Sequence, residues 1–152
     1  MKTLVLGLGN PILCDDSVGF RVVQTLEGRF GQDVVVMETS LAGLSLLDLL
    51  VGYDKVILID SIQTKRGKVG EVYRLDTGDF ATTKHTASPH DVNLATALEL
   101  GKRLGLAIPR EIAIFAIEVQ DVTTFGESCT PQVERAIPKV VDMVVSELDR
   151  QC

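Results

Sequence analysis

Two adjacent acids, Asp15 and Asp16, follow the run Gly7-Leu8-Gly9-Asn10 near the start of the chain. A further acid, Asp60, ends the apolar run Val56-Ile57-Leu58-Ile59, and His90 stands in the segment Ser88-Pro89-His90-Asp91. Two or three carboxylates with one imidazole make an oxygen-and-nitrogen donor set. Such a set suits Zn, Ni, Mn or Fe(II) better than a thiophilic metal. Three protein donors also leave coordination positions for a substrate, whereas a structural site is closed. His90 carries an argument of its own. Ser88 fits a helix N-cap, Pro89 the first helical residue, and Asp91 the acid three positions after the cap. An imidazole at that place feels the positive end of the helix dipole, which disfavours imidazolium. Neutral imidazole is the form that binds metal.

Each residue also has an ordinary use. An acid ahead of a helix is commonly an N-cap, which is the plain reading of Asp15 or Asp16 taken alone. An acid at a strand end is commonly a turn residue. His85 lies in a polar stretch with no acid close by in sequence and reads as structural or surface. Cys14 fits a packed thiol better than a ligand or nucleophile. The pair Gly7-x-Gly9 lacks the third glycine of a dinucleotide fingerprint, because Ile12 occupies that position. No G-x-S-x-G elbow is present, so a conventional serine hydrolase has no support.

The elements that must position these groups follow from the hydrophobic pattern. Thr3–Leu6 reads as a buried strand entering a tight turn, 33–37 as a second strand, and 55–59 as a third that ends at Asp60. Val18, Val22, Leu26 and Phe30 recur on one helical face. Ser40-Leu41-Ala42-Gly43 reads as a loop and Leu44–Leu50 as a short helix. Gly70–Leu75 reads as an edge strand, 76–87 as a loop, 88–104 as a helix and 111–117 as another buried strand. Thr130-Pro131 opens a last helix with Val133, Ile137, Val140, Val141, Val144, Val145 and Leu148 on one face, and Pro138 is expected to kink or restart it. Buried strands alternating with helices predict an α/β three-layer sandwich, a mostly parallel twisted sheet of about five strands with helices on both faces. In such sheets ligands bind beyond the carboxyl ends of the strands, where Asp15, Asp16, Asp60 and His90 all fall.

The chain has 152 residues, and no linker, repeat or low-complexity segment divides it, so residues 1–152 read as one domain. A chain of this size buries roughly 70% of its unfolded surface and needs no disulfide or structural metal. Hydrophobic residues are 45% and charged residues 24%, which excludes intrinsic disorder. The net charge of −6 argues against a nucleic-acid or anionic-membrane surface. The three cysteines, Cys14, Cys129 and Cys152, form no C-x-x-C pair and no even framework. With no run long enough to span a membrane and no signal-peptide pattern, the expectation is a cytoplasmic protein.

Taken in order, these segments resemble one family. Gly7-Leu8-Gly9-Asn10-Pro11-Ile12-Leu13-Cys14-Asp15-Asp16-Ser17-Val18-Gly19 resembles the G-x-G-N-x-x-x-x-D-[DE]-x-x-G signature of the nickel–iron hydrogenase maturation proteases. Val56-Ile57-Leu58-Ile59-Asp60-Ser61 is similar to their apolar strand ending in Asp. Ser88-Pro89-His90 resembles their histidine motif and Ser40-Leu41-Ala42-Gly43 their Gly loop. The resemblance implies an endopeptidase that removes a C-terminal extension from the hydrogenase large-subunit precursor after nickel insertion. It implies that Asp16, Asp60 and His90 are the catalytic, nickel-contacting residues. The nickel is then carried by the substrate as a recognition signal and is no permanent cofactor. The attacking water would be activated by a carboxylate or by the metal. Position 16 is Asp where some members have Glu, one methylene shorter in reach. No functional residue is carried over from Ile117-Glu118-Val119-Gln120-Asp121.

Two other readings stay open at this point. Peptidyl-tRNA hydrolase also opens with Gly-Leu-Gly-Asn-Pro, but follows it with a His-Asn pair. This chain has no histidine before His85 and the wrong charge for tRNA. A non-enzymatic metal- or nucleotide-binding module would use the same loop and acids for binding alone.

Overall fold

Apolar runs buried on both faces have to lie inside a layered structure. In the computed structural model, which describes residues 1–41, 43–76 and 94–150, β1 (Thr3–Leu8) and β3 (Lys55–Ile62) are buried at every position. β5 (Glu111–Glu118) is buried except at its first two residues. β2 (Val34–Thr39) and β4 (Val72–Leu75) are largely half-buried and form the two edges of one sheet, ordered β2-β1-β3-β5-β4. The pairings β1 with β2, β1 with β3 and β3 with β5 are parallel, and β4 is antiparallel to β5.

Helices cover both faces, as the alternation of elements requires. α1 (Val18–Leu26) joins β1 to β2, and α4 (Pro131–Asp149) follows β5. Their apolar stripes, including Val18, Val22, Leu26, Val133, Val140 and Val144, pack on Val5, Ile57, Ile59 and Phe115. A 3-10 turn (Gly43–Leu46) runs into the short α2 (Leu47–Leu50), and α3 (Leu94–Arg103) lies beside them. Leu46, Leu50 and Leu94 cover the opposite face, formed by Leu4, Leu6, Leu8, Val56, Leu58 and Ile114. The strand alternation thus sorts odd and even positions of β1 and β3 into two cores. Among the described residues, no helix is long and apolar enough to cross a membrane.

Several expected boundaries shift. β3 continues to Ile62, so Asp60 lies within the strand and does not end it. α1 stops at Leu26, and Gly28 takes a positive φ of 75°. Phe30 therefore packs on the core from the following turn instead of the helix. Pro138 neither ends nor restarts the last helix, which is one element from Pro131 to Asp149. Its missing N–H forgoes one bond to the carbonyl of Glu134. The buried face on both sides of it outweighs that loss. The histidine-bearing start of the 88–104 helix and most of the 76–87 loop lie outside the described residues.

An ion cluster around the buried Lys55 and Glu147 ties strands to helix. Lys55 of β3 and Arg74 of β4 both reach Glu147 of α4, at 3.2 Å and 2.6 Å. The hydrogen bond from Arg74, and then those with Lys55, hold the Glu147 carboxyl below the usual glutamate range, against the opposing effect of burial. A depressed native pKa means stability that is complete above the ordinary value of 4.5 and is lost as pH falls through the depressed one. The melting temperature of the wild type is expected to fall more steeply than that of Glu147→Gln on acidification through this window. Parallel profiles from calorimetry at a series of pH values would contradict the pairing.

Candidate active site

The chain leaves β1 toward β2 on one side, while β3 lies on the other, so the sheet order reverses at the β1/β3 boundary. Open α/β sheets place their ligand crevice there. The pairing of β1 with β3 ends at Gly7 with Ile59, but β3 goes on, paired only to β5 through Asp60–Ala116, Ser61–Ile117 and Ile62–Glu118. The last three residues of β3 therefore flank an opening beyond the end of β1.

Glycines bring the next segment down onto that opening. Gly9 has φ 149°, and a side chain there would run into the carbonyl of Asp16. A Cβ on Gly19 would lie 2.5 Å from the carbonyl oxygen of Leu8 and 2.6 Å from that of Ile59. The motif glycines thus allow backbone to touch backbone, laying the start of α1 across the ends of β1 and β3. Between them Asp15–Ser17 form a buried 3-10 turn. Asp16 is 3% and Asp60 1% exposed.

One residue connects these two carboxylates. The Ser61 hydroxyl donates to Asp16 Oδ1 at 2.8 Å, and the Ser61 backbone N–H donates to Asp60 Oδ1 at 2.8 Å. The structure so brings together two of the three expected site residues, from a loop and a strand far apart in sequence. His90 lies outside the described residues. The helix it precedes, α3, packs through Leu94 on the face that holds Leu58, and strand alternation assigns Asp60 to that same face. Among the described residues, no group of three His, Cys, Asp or Glu side chains is placed to hold a metal ion. Asp16 and Asp60 are the two expected site residues that the described structure ties to Ser61.

Asp15 does something else. It is neither an N-cap of α1 nor a partner of Asp60. Its fully buried carboxylate accepts the backbone N–H groups of Gln120 (3.0 Å), Asp121 (2.9 Å) and Thr130 (2.6 Å), and the Thr130 hydroxyl (3.0 Å). Around it the backbone of 12–15 runs against that of 121–126. Asp15 N–H donates to Asp121 O, Cys14 N–H to Thr124 O and Gly126 N–H to Ile12 O, while Leu13 bridges Phe125. Arg21 of α1 adds a two-pronged contact to Glu134 in the first turn of α4, at 2.9 Å and 3.1 Å. The loop after β5 is thereby clasped to the acidic turn.

The Cys129 thiol is a packing group. Cys129 is buried, with its sulfur 3.6 Å from the Cys14 carbonyl and 3.7 Å from the Ser17 hydroxyl. Burial pushes its thiol pKa up, the wrong direction for a nucleophile. Cys14 is partly exposed, and Cys152 lies outside the described residues. Around the carboxyl end of the sheet, Ile12, Leu41, Leu44 and Phe125 expose large apolar side chains on the loops that follow β1, β2 and β5.

Ser61, Thr130 and the loop after β5 were not among the expected site residues. Ser61 carries one signal in sequence, a small hydroxyl residue set inside a long buried strand directly after the acid.

A protein-family model described as hydrogenase maturation protease matches residues 20–147. Hydrogenase 2 maturation protease of Escherichia coli strain K12 is 28% identical over 151 residues, which cover 97% of this chain and 91% of the relative. The solved structure of the hydrogenase maturating endopeptidase HybD from E. coli has a TM-score of 0.86 at 28% identity, covering 99% of this chain and 94% of that one. The NiFe hydrogenase maturation protease HybD from Thermococcus kodakarensis shares the fold, with a TM-score of 0.74 at 24% identity over 96% of this chain and 98% of that one. The family model starts after the acidic turn, whereas the full-length relatives span it.

Proposed function

The chain belongs to the hydrogenase maturation protease family, a family of endopeptidases, and from that premise we propose that it removes the C-terminal extension of a nickel-loaded hydrogenase large-subunit precursor. The nickel of the precursor is the recognition signal and belongs to the substrate. Asp16, Asp60 and His90 hold it, and holding it fixes the bond to be cut beside the crevice. Fixed placement of this kind contributes several kcal/mol of the barrier reduction.

The observation that carries this reading is the meeting of Asp16 and Asp60 on Ser61 at the β1/β3 switch point. Two oxygen donors from separate elements, both bonded to one serine, suit a hard or borderline metal that arrives with its own ligands. The exposed apolar side chains of Ile12, Leu41, Leu44 and Phe125 supply contact area for a folded protein substrate on the loops at that end of the sheet.

The test is direct. Purified protein is incubated with the nickel-loaded large-subunit precursor of a cognate hydrogenase, and the products are weighed by mass spectrometry. The expected products are a shortened large subunit and a released C-terminal peptide. Intact precursor in every cognate pairing would contradict the proposal.

A further inference from the structure

We infer that Ser61 is a positioning residue, which sets the orientation of both metal-holding carboxylates through one hydroxyl and one backbone N–H. The inference rests on the proposed function of Asp16 and Asp60. The Ser61 side chain is 2% exposed, in a strand whose neighbours Val56, Ile57, Leu58, Ile59 and Ile62 are all apolar and buried. A hydroxyl buried there is costly unless it is hydrogen-bonded. It is bonded to Asp16 at 2.8 Å, across the gap between the 3-10 turn and β3. Its own N–H reaches the preceding carboxylate, Asp60, at 2.8 Å. Donation to a carboxylate is a strong, directional bond. Each bond pins one carboxylate plane, and both planes are referred to the same residue. Groups in this relation to metal-binding side chains typically change metal affinity or activity by about 10–100-fold when removed. A strand is also the rigid kind of support that such orientation needs.

Removing the hydroxyl separates this role from simple filling of the strand. Ser61→Ala keeps the N–H to Asp60 and loses the bond to Asp16. Ser61→Thr keeps both. Three quantities are read: kcat and KM on the nickel-loaded precursor, the affinity of the protein alone for free Ni²⁺ by calorimetric titration, and the melting temperature. For Ser61→Ala, kcat/KM is expected to fall at least tenfold, and Ni²⁺ affinity to fall by about tenfold. Ser61→Thr restores most of both. In an Asp16→Ala background, which removes the acceptor, Ser61→Ala has no further effect on Ni²⁺ affinity, because it acts through Asp16.

Wild-type kcat/KM and Ni²⁺ affinity in Ser61→Ala overturn the inference. So does a lowered melting temperature with unchanged Ni²⁺ affinity, which would make the hydroxyl structural only. Full processing by Asp16→Asn would overturn the site assignment itself. Loss of processing in Asp16→Asn beside normal behaviour of Ser61→Ala overturns the role of Ser61 alone.

Discussion

Replacing Asp16 or Asp60 by Asn is expected to slow precursor processing by on the order of 10²–10³-fold, while the melting temperature hardly changes. Asn keeps the shape of the side chain. Its carbonyl oxygen still accepts the Ser61 hydroxyl at position 16, or the Ser61 N–H at position 60, bonds that are 2.8 Å in the wild type. What is lost is the negative charge that a divalent cation requires of its oxygen donors. His90→Ala is expected to give the same phenotype, with the fold intact and processing stopped. Rates are read by mass spectrometry of the large subunit over time, and folding by circular dichroism. Any of these variants that processed at the wild-type rate would remove its residue from the site.

The neighbouring acid should fail in the opposite way. Asp15→Ala leaves the N–H groups of Gln120, Asp121 and Thr130 and the Thr130 hydroxyl without their carboxylate. An orphaned donor costs about 1–3 kcal/mol when fully buried, and these four part-buried donors cost less each because water reaches them. A total of about 3 kcal/mol lowers the melting temperature by roughly 6–12 °C in a domain of this size. The loss should concentrate in the loop after β5, so limited proteolysis is expected to cut between residues 120 and 130 before the rest of the chain. A wild-type melting temperature together with protease resistance in that loop would contradict the clasp. The adjacent pair Asp15-Asp16 therefore separates by phenotype, one acid costing stability and the other costing activity.

Such a separation was not available from the residues alone. The carboxylates of Asp15 and Asp16 differ in what lies opposite them, and the partners of Asp15 are more than a hundred positions away, at Gln120, Asp121 and Thr130. Local pattern carries no information on contacts of that range. The order of elements was legible because each buried strand is a continuous apolar run and each helix shows its stripe. That order alone directs Asp16 and Asp60 to one edge of the sheet, where Ser61 donates a hydrogen bond to each. The end of β3 was misjudged because Asp60 and Ser61 are polar. They remain in the strand because β5 supplies their ladder partners, Ala116 and Ile117. Pro138 does not restart the helix because a proline penalty is local, whereas the buried face of α4 extends over Val133, Ile137, Val140, Val141 and Val144. The Gly7-x-Gly9 pair of the first motif is only part of a nucleotide-loop fingerprint in sequence. In the structure Gly7, Gly9 and Gly19 serve the close approach of one backbone to another. The placement of His90 relative to the two carboxylates falls outside the described residues.

The most direct test of the nickel-gated reading compares two forms of one substrate. The purified protein is mixed with a cognate large-subunit precursor carrying nickel and, in parallel, with the same precursor lacking it, and both products are weighed. Release of the C-terminal peptide from the nickel-loaded form alone is the predicted result. Equal cleavage of the nickel-free form would contradict a site in which Asp16, Asp60 and His90 act by holding the metal of the substrate.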